Sequence, residues 1–286
     1  VSGRPSRYRP DTPPDYSHRF HAGNVGDVWK HCALVEVLRA VAASAGRVTY
    51  LESHAGEGRY PLGATGEWTE GIGRLWDAAL PADAVARYVA LCRRLGAPES
   101  YPGSPVFARA VLGPRARLLL WEREPAAFGR LSACFRDDAA ATLAQDDGLR
   151  SLAEKTRAAE ADGDAVVVLI DPPFTQKRDW TEIPDALAAV ARAAARACLL
   201  LWYPVKSLTR PNAMLSRLET AGVLGAMAEL ITTPLDYTRH RLNGSGMLIV
   251  RPPDGALAAL AAAAPIIGAR CATHAGVWSF RMRGVG

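Results

Sequence analysis

The 286-residue chain has little that would cross-link it or anchor it. Its five cysteines, Cys32, Cys92, Cys134, Cys198 and Cys271, stand far apart. Their odd number and wide spacing offer no disulfide framework. No C-x-x-C pair, no H-x-x-x-H and no Cys/His cluster supplies zinc ligands, so no metal is expected. The longest apolar run, residues 256–267, is too short to span a bilayer, and Arg192 and Arg196 interrupt the other candidate, residues 186–205. The opening VSGRPSRYRPDTPPD, residues 1–15, has no apolar signal core, and its prolines read as a flexible, extended arm. No internal repeat is present. These absences set membrane function aside and favour a reduced, cytoplasmic location. What is there is globular: 49% hydrophobic and 22% charged, with a net charge of +5 that tilts partners toward anions without identifying one.

Strands and helices alternate. A helix is predicted from the capping residue Asn24 to Gly46, followed by a β-rich segment at 47–53 that runs into the turn HAGEGRY, residues 54–60. Residues 61–103 mix short helical runs with Pro and Gly breaks and read as a helical insertion without a clear strand. Further strands are expected at 115–122, 141–148, 165–170, 198–205, 226–232 and 247–253. Helices are expected at 128–138, 149–161, 183–195, 212–221 and 256–264. This alternation predicts an α/β fold with a mostly parallel, doubly wound sheet.

Ligands of such sheets gather beyond the carboxyl ends of the strands. Four ends carry suggestive residues: His54-Ala55-Gly56-Glu57-Gly58, Glu122, Asp147-Gly148 and Asp171-Pro172-Pro173-Phe174. The first resembles a nucleotide-binding turn, although two glycines do not complete G-x-G-x-x-G. An acid at the next strand end suits a ribose diol. Glu122 follows Gly56 by 66 residues, more than the usual offset of about twenty, and the insertion accounts for the excess. At Asp171 the two prolines fix φ and withhold N–H groups, leaving carbonyls free to accept. Asp171 adds a strong acceptor and Phe174 a flat apolar face, a set suited to a planar amine. The same four residues also suit a rigid turn with a capping Asp and a core Phe. Trp202 and Tyr203, at a strand end, fit core packing or a site wall. Arg239-His240-Arg241 fits a solvated loop or a phosphate contact.

The constellation resembles the amino-group methyltransferases that use S-adenosylmethionine, and more closely the bacterial family that methylates the exocyclic N6 of an adenine in 23S ribosomal RNA. The marks are Y-x-H-x-F-H-A-G-N from Tyr16, D-V-x-K-H from Asp27, H-A-G-x-G-R-Y from His54 and Y-P-G-S-P from Tyr101. Glu122, Asp147-Gly148, D-P-P at Asp171, L-W-Y-P-V from Leu201 and S-G-M ending at Met247 continue them in order. The resemblance implies a class I, Rossmann-like methyltransferase domain over residues 16–286. It implies cofactor contacts at His31, His54, Ser104, Glu122, Asp147, Gly148 and Asp171, with Asp171 also catalytic and Tyr16 and Lys30 on the substrate side. Pro172 would offer a carbonyl to the amine and Phe174 a stacking face. The family often has Tyr where this chain has Phe174, and often a small residue where it has Glu57. The partner implied is 23S ribosomal RNA, unassembled or partly assembled. DNA adenine methylation, an inert RNA-binding module and, more distantly, a nicotinamide dehydrogenase are the alternative readings.

Overall fold

The computed structural model of the protein describes residues 18–237 and 242–286, so the proline-rich arm, Tyr16 and Arg239-His240-Arg241 lie outside the described residues. A short turn, α1 (His18–His21), leads into α2 (Val25–Ser44). Asn24 caps α2 by accepting the Asp27 N–H at 2.9 Å, as its residue type predicts. Val28, Trp29, Cys32, Leu34, Val35 and Leu38 are all buried, so α2 runs through the interior rather than over the surface. The Trp29 indole donates to the carbonyl of Ala228 at 3.1 Å, pinning α2 across the sheet.

The central strands are β1 (Val48–Glu52), β4 (Arg117–Trp121), β5 (Ala141–Ala144), β6 (Ala165–Ile170) and β7 (Cys198–Val205), all parallel. Beyond β7 the direction reverses. The strands β8 (Gly225–Ile231), β9 (Gly244–Val250) and β10 (Ser279–Val285) pair antiparallel, and the order is β10-β8-β9-β7-β6-β1-β4-β5. The sheet is the mostly parallel, doubly wound one that the alternation predicts. In β6, Val167 and Leu169 face one core layer while Val166, Val168 and Ile170 face the other, which is why AVVVLI reads as a continuous apolar run. The first layer holds α2, α4 (Ser104–Leu112) and α9 (Ala256–Cys271). The second holds α6 (Leu152–Ala161), α7 (Asp179–Ala193) and α8 (Thr209–Thr220), and α5 (Pro125–Cys134) follows β4.

Between β1 and α4 come α3 (Ala84–Leu95) and two 3-10 turns, at Glu67–Thr69 and Ile72–Arg74. The absence of strand expected here does not hold at the ends of the segment. The strands β2 (Arg59–Pro61) and β3 (Ser100–Pro102) pair antiparallel, with Arg59 opposite Pro102 and Pro61 opposite Ser100. Three-residue strands that each contain proline give no readable alternation. Two further elements go unread in the sequence. The helix α4 starts with Ser-Pro, and β10 is an edge strand whose Arg281 and Arg283 break its apolar pattern while pairing with Glu229 and Glu219. The last helix continues through Pro265 to Cys271, beyond its expected end at 264, and α7 begins four residues earlier than expected. No helix among the described residues is long and apolar enough to cross a membrane.

Candidate active site

The carboxyl end of β6 meets the first two turns of α2, and the carboxyl end of β1 meets the start of α4. Lys30, on the second turn of α2, is buried, with 8% of its surface exposed. Its Nζ lies 2.6 Å from Asp171 Oδ2 and 2.8 Å from Asp27 Oδ1, and 5.7 Å from the centre of the Trp202 ring. Burial alone would lower the Lys30 pKa, but the carboxylates of Asp171 and Asp27 reverse this and hold it above the ordinary value. Asp27 is held in turn by the Gly23 N–H at 2.9 Å. One end of a helix interior thus supplies a fixed cation directly against the residue that ends β6.

His31, next along α2, is also buried. Its Nδ1 lies 2.7 Å from the Tyr101 hydroxyl, which lies 2.7 Å from that of Tyr88. Burial, helped by the neighbouring Lys30 charge, lowers the His31 pKa to about 3, so the ring is neutral. Its Nε2 is buried with no hydrogen-bond partner among the described residues. Of two adjacent polar residues on a helix, one would normally be solvated surface. Here both Lys30 and His31 are interior.

Glu52 ends β1 and is fully buried. Tyr50 donates to its Oε2 at 2.8 Å, and Ser104, the first residue of α4, donates to its Oε1. Burial pushes its pKa up to about 8, with the Asp171 charge adding to the rise, so the carboxyl group is protonated at neutral pH. Sequence reasoning missed Glu52. The available signal was an acid in the last position of a buried strand that runs into a glycine turn.

That turn folds back on itself. Gly56 and Gly58 adopt left-handed φ values of +63° and +78°, which other residues reach only with strain. The Gly56 N–H donates to Glu122 Oε2 at 2.9 Å and the Glu124 N–H to Glu122 Oε1 at 2.8 Å, so the partly exposed carboxylate at the end of β4 is oriented from both sides. His54 lies beside them, its Nδ1 2.8 Å from Ser53 Oγ, and burial lowers its pKa to about 4. Glu57 is buried and ion-paired with Arg130 at 2.6 Å. Asp147 accepts the Leu149 N–H at 3.2 Å and begins the short turn Gly148–Arg150. A Cβ at Gly148 would lie 2.6 Å from the Ser53 carbonyl oxygen, so glycine alone lets the ends of β1 and β5 close together.

After Asp171, Phe174 adopts φ +45°, a left-handed conformation that costs a non-glycine residue about 1–2 kcal/mol. Its ring packs on Trp180 of α7, with centroids 4.5 Å apart. Trp202 is half-buried and donates to Ser245 Oγ at 2.6 Å, whereas Tyr203 is core and donates to Glu229 at 2.9 Å. The arrangement therefore joins a buried acid–lysine–acid row, an acceptor-rich strand end with an aromatic platform, and a glycine turn with a pre-oriented carboxylate.

A family model described as "Ribosomal RNA large subunit methyltransferase D, RlmJ" matches residues 46–283. The chain is 34% identical to ribosomal RNA large subunit methyltransferase J of Escherichia coli over 247 residues, covering 83% of this chain and 87% of that protein. Its identity to the protein of the same name from Haemophilus influenzae is also 34%, over 248 residues, with the same coverage. Among solved structures, protein LPL1258 of Legionella pneumophila superposes with a TM-score of 0.83 at 25% identity, covering 93% of this chain and 99% of that one.

Proposed function

The chain belongs to the ribosomal RNA large subunit methyltransferase family that this model describes, and from that premise we propose that it methylates N6 of an adenine in 23S ribosomal RNA with S-adenosylmethionine. The sheet is then that of a class I methyltransferase. The observation that carries the chemistry is Asp171, at the end of a buried strand, followed by two prolines and a strained Phe174 and ion-paired to a buried lysine.

The residues fit the cofactor. His31 Nε2 is a buried polar atom lacking a partner among the described residues, and the Glu122 carboxylate is oriented and partly exposed at the rim. His31, His54, Ser104, Glu122, Asp147, Gly148 and Asp171 would hold it, Glu122 toward the ribose hydroxyls and Asp147 toward the adenine amine. When bound, S-adenosylmethionine supplies a sulfonium methyl group as the electrophile. The target amine is a poor nucleophile because its lone pair is delocalised into the ring. Asp171 and the Pro172 carbonyl accept its two N–H bonds, which favours a more pyramidal nitrogen and aims the lone pair for in-line displacement. As the N–C bond forms, Asp171 takes the proton, directly or through water. Lys30 fixes the Asp171 carboxylate for that task while staying charged.

Phe174 supplies the stacking face for a base that has left its helix, with Trp180 behind it. Such a base is most accessible before the subunit is packed, so the substrate is unassembled or partly assembled large-subunit RNA, in the cytoplasm. Tyr16 contributes from the substrate side, and residues 61–103 act as a helical insertion within the one domain. Radiolabelled methyl transfer tests the reading. Undermodified 23S RNA should accept label from S-adenosylmethionine, while mature RNA and duplex DNA accept little. No incorporation into RNA at saturating cofactor overturns it, and preferential labelling of DNA favours the DNA enzyme.

A further inference from the structure

A cleft of about 300 Å³ opens beside the active site, between the start of α2, the Glu67–Thr69 turn and the ends of β8 and β9. Trp202 connects the two sites. Its indole N–H bonds Ser245 Oγ, which lines the cleft, and its ring lies against Lys30, which pairs with Asp171. Gly26 lines the cleft one helical turn before Lys30. The cleft is therefore linked to Asp171 through Trp202 and Lys30.

The lining is polar and partly pre-bonded. Thr233 and Thr273 share a hydroxyl–hydroxyl contact at 2.5 Å, Ser245 Oγ accepts from Trp202, and Glu67 is held by His21 at 2.9 Å and by Asn24 at 3.0 Å. Glu70 adds a second carboxylate, and Phe20 lies at the rim with 51% of its surface exposed. A single exposed Phe is unremarkable on a protein surface. Here it borders a cavity at the small end of the ligand-pocket range, sized for one nucleoside. The carboxylates repel a phosphate, yet they accept bonds from amino groups and ribose hydroxyls. An aromatic face beside hydrogen-bonding groups suits an unstacked RNA base, which stacks on the ring and is bonded along its edge.

We propose that this cleft receives a nucleobase bearing an exocyclic amine, next to the target adenine in the same RNA strand, stacked on Phe20 with its edge met by the hydroxyls and acids. The proposal rests on the RNA reading above and deepens it by adding a second base-holding site. It explains how one adenine is selected by a catalytic pocket that itself recognises only an amine and a flat ring.

The test is a cycle between protein and RNA variants, read by binding. Phe20→Ala should weaken the binding of a short 23S-derived hairpin about ten-fold, in line with loss of one base–aromatic stack. Phe20→Trp should restore it, and S-adenosylmethionine affinity should be unchanged. An abasic nucleotide on one side of the target should weaken wild-type binding similarly and abolish the difference between wild type and Phe20→Ala. Thr273→Val, which keeps the shape and removes one hydroxyl, should give a smaller loss in the same direction. Unchanged RNA affinity in Phe20→Ala, or losses that add at every abasic position, overturn the second site. Because these readouts are affinities, they stand apart from the methyl-transfer assay that decides the catalytic reading. A wild-type chain that binds no such hairpin overturns the second site as well.

Discussion

One six-residue strand carries an aspartate at each end, and the two do opposite work. Asp164, just before β6, lies 2.5 Å from Thr49 Oγ1, 2.7 Å from Arg117 and 2.9 Å from Arg47. Its burial opposes ionisation, but Thr49 and Arg117, with Arg47 more weakly, outweigh this and hold its pKa below the ordinary carboxylate value. Both arginines are at least half exposed, so their charge remains solvated while it pairs with the acid. Asp171, just after β6, faces a buried lysine that a second acid shares, with a protonated Glu52 and a neutral His31 nearby. Residue type, strand and sheet are common to both. The difference lies in the donors. Solvated guanidiniums close one end of the strand, whereas a single interior ammonium at the other holds an acid in place beside chemistry still to be done.

The sharpest way to break this contrast is to neutralise each acid. Asp171→Asn should lower methyl transfer about 1,000-fold, the scale expected for removing a positioned proton acceptor, and should also lower the melting temperature because the buried Lys30 then keeps only Asp27. Near-wild-type turnover would remove Asp171 from the mechanism. Lys30→Met removes the cation between Asp27 and Asp171 and leaves two partly buried carboxylates without it. It should cost about 3 kcal/mol in urea unfolding and most of the activity, whereas a variant as stable as wild type would show that the pair does not need its lysine. Asp164→Ala should cost about 2 kcal/mol of stability without the kinetic defect of Asp171→Asn, with kcat and KM for RNA within about two-fold of wild type. A large kinetic defect there would erase the distinction between the two ends.

The smallest effect concerns pH. Glu52 keeps its proton in the fold up to about pH 8, whereas the unfolded chain loses it near 4.5. The unfolded state therefore releases a proton first, and this group's contribution to stability falls as the pH rises from about 4.5 to about 8. Glu52→Gln should flatten that decline, raising the melting temperature by about 3 °C at pH 8.5 and by less at pH 5. An equal change at both pH values would show that Glu52 ionises normally.

Much of this was legible before the coordinates. AVVVLI followed by D-P-P-F needs only local rules to be read as a buried strand that ends in an acid and two prolines, and the glycine turn after β1 is equally local. What escaped was pairing at a distance. Lys30 and Asp171 are 141 residues apart, and although the D-V-x-K-H mark points to the substrate side for Lys30, nothing local shows that it pairs with Asp171. The proton on Glu52 depends on burial by elements far along the chain, and β10 became a strand through its partner β8 rather than its own pattern.

The paired strands β2 and β3 have a consequence for the history of the molecule. They bring the two ends of the segment between Pro61 and Ser100 side by side, about 5 Å apart. A stretch of chain whose ends nearly touch can enlarge, shrink or be exchanged at that seam while the order of the eight main strands stays as it is. The sheet and the chemistry at its edge are thereby free to be inherited together, while the module on the seam is the place where relatives of this enzyme can diverge in size and in what they grip.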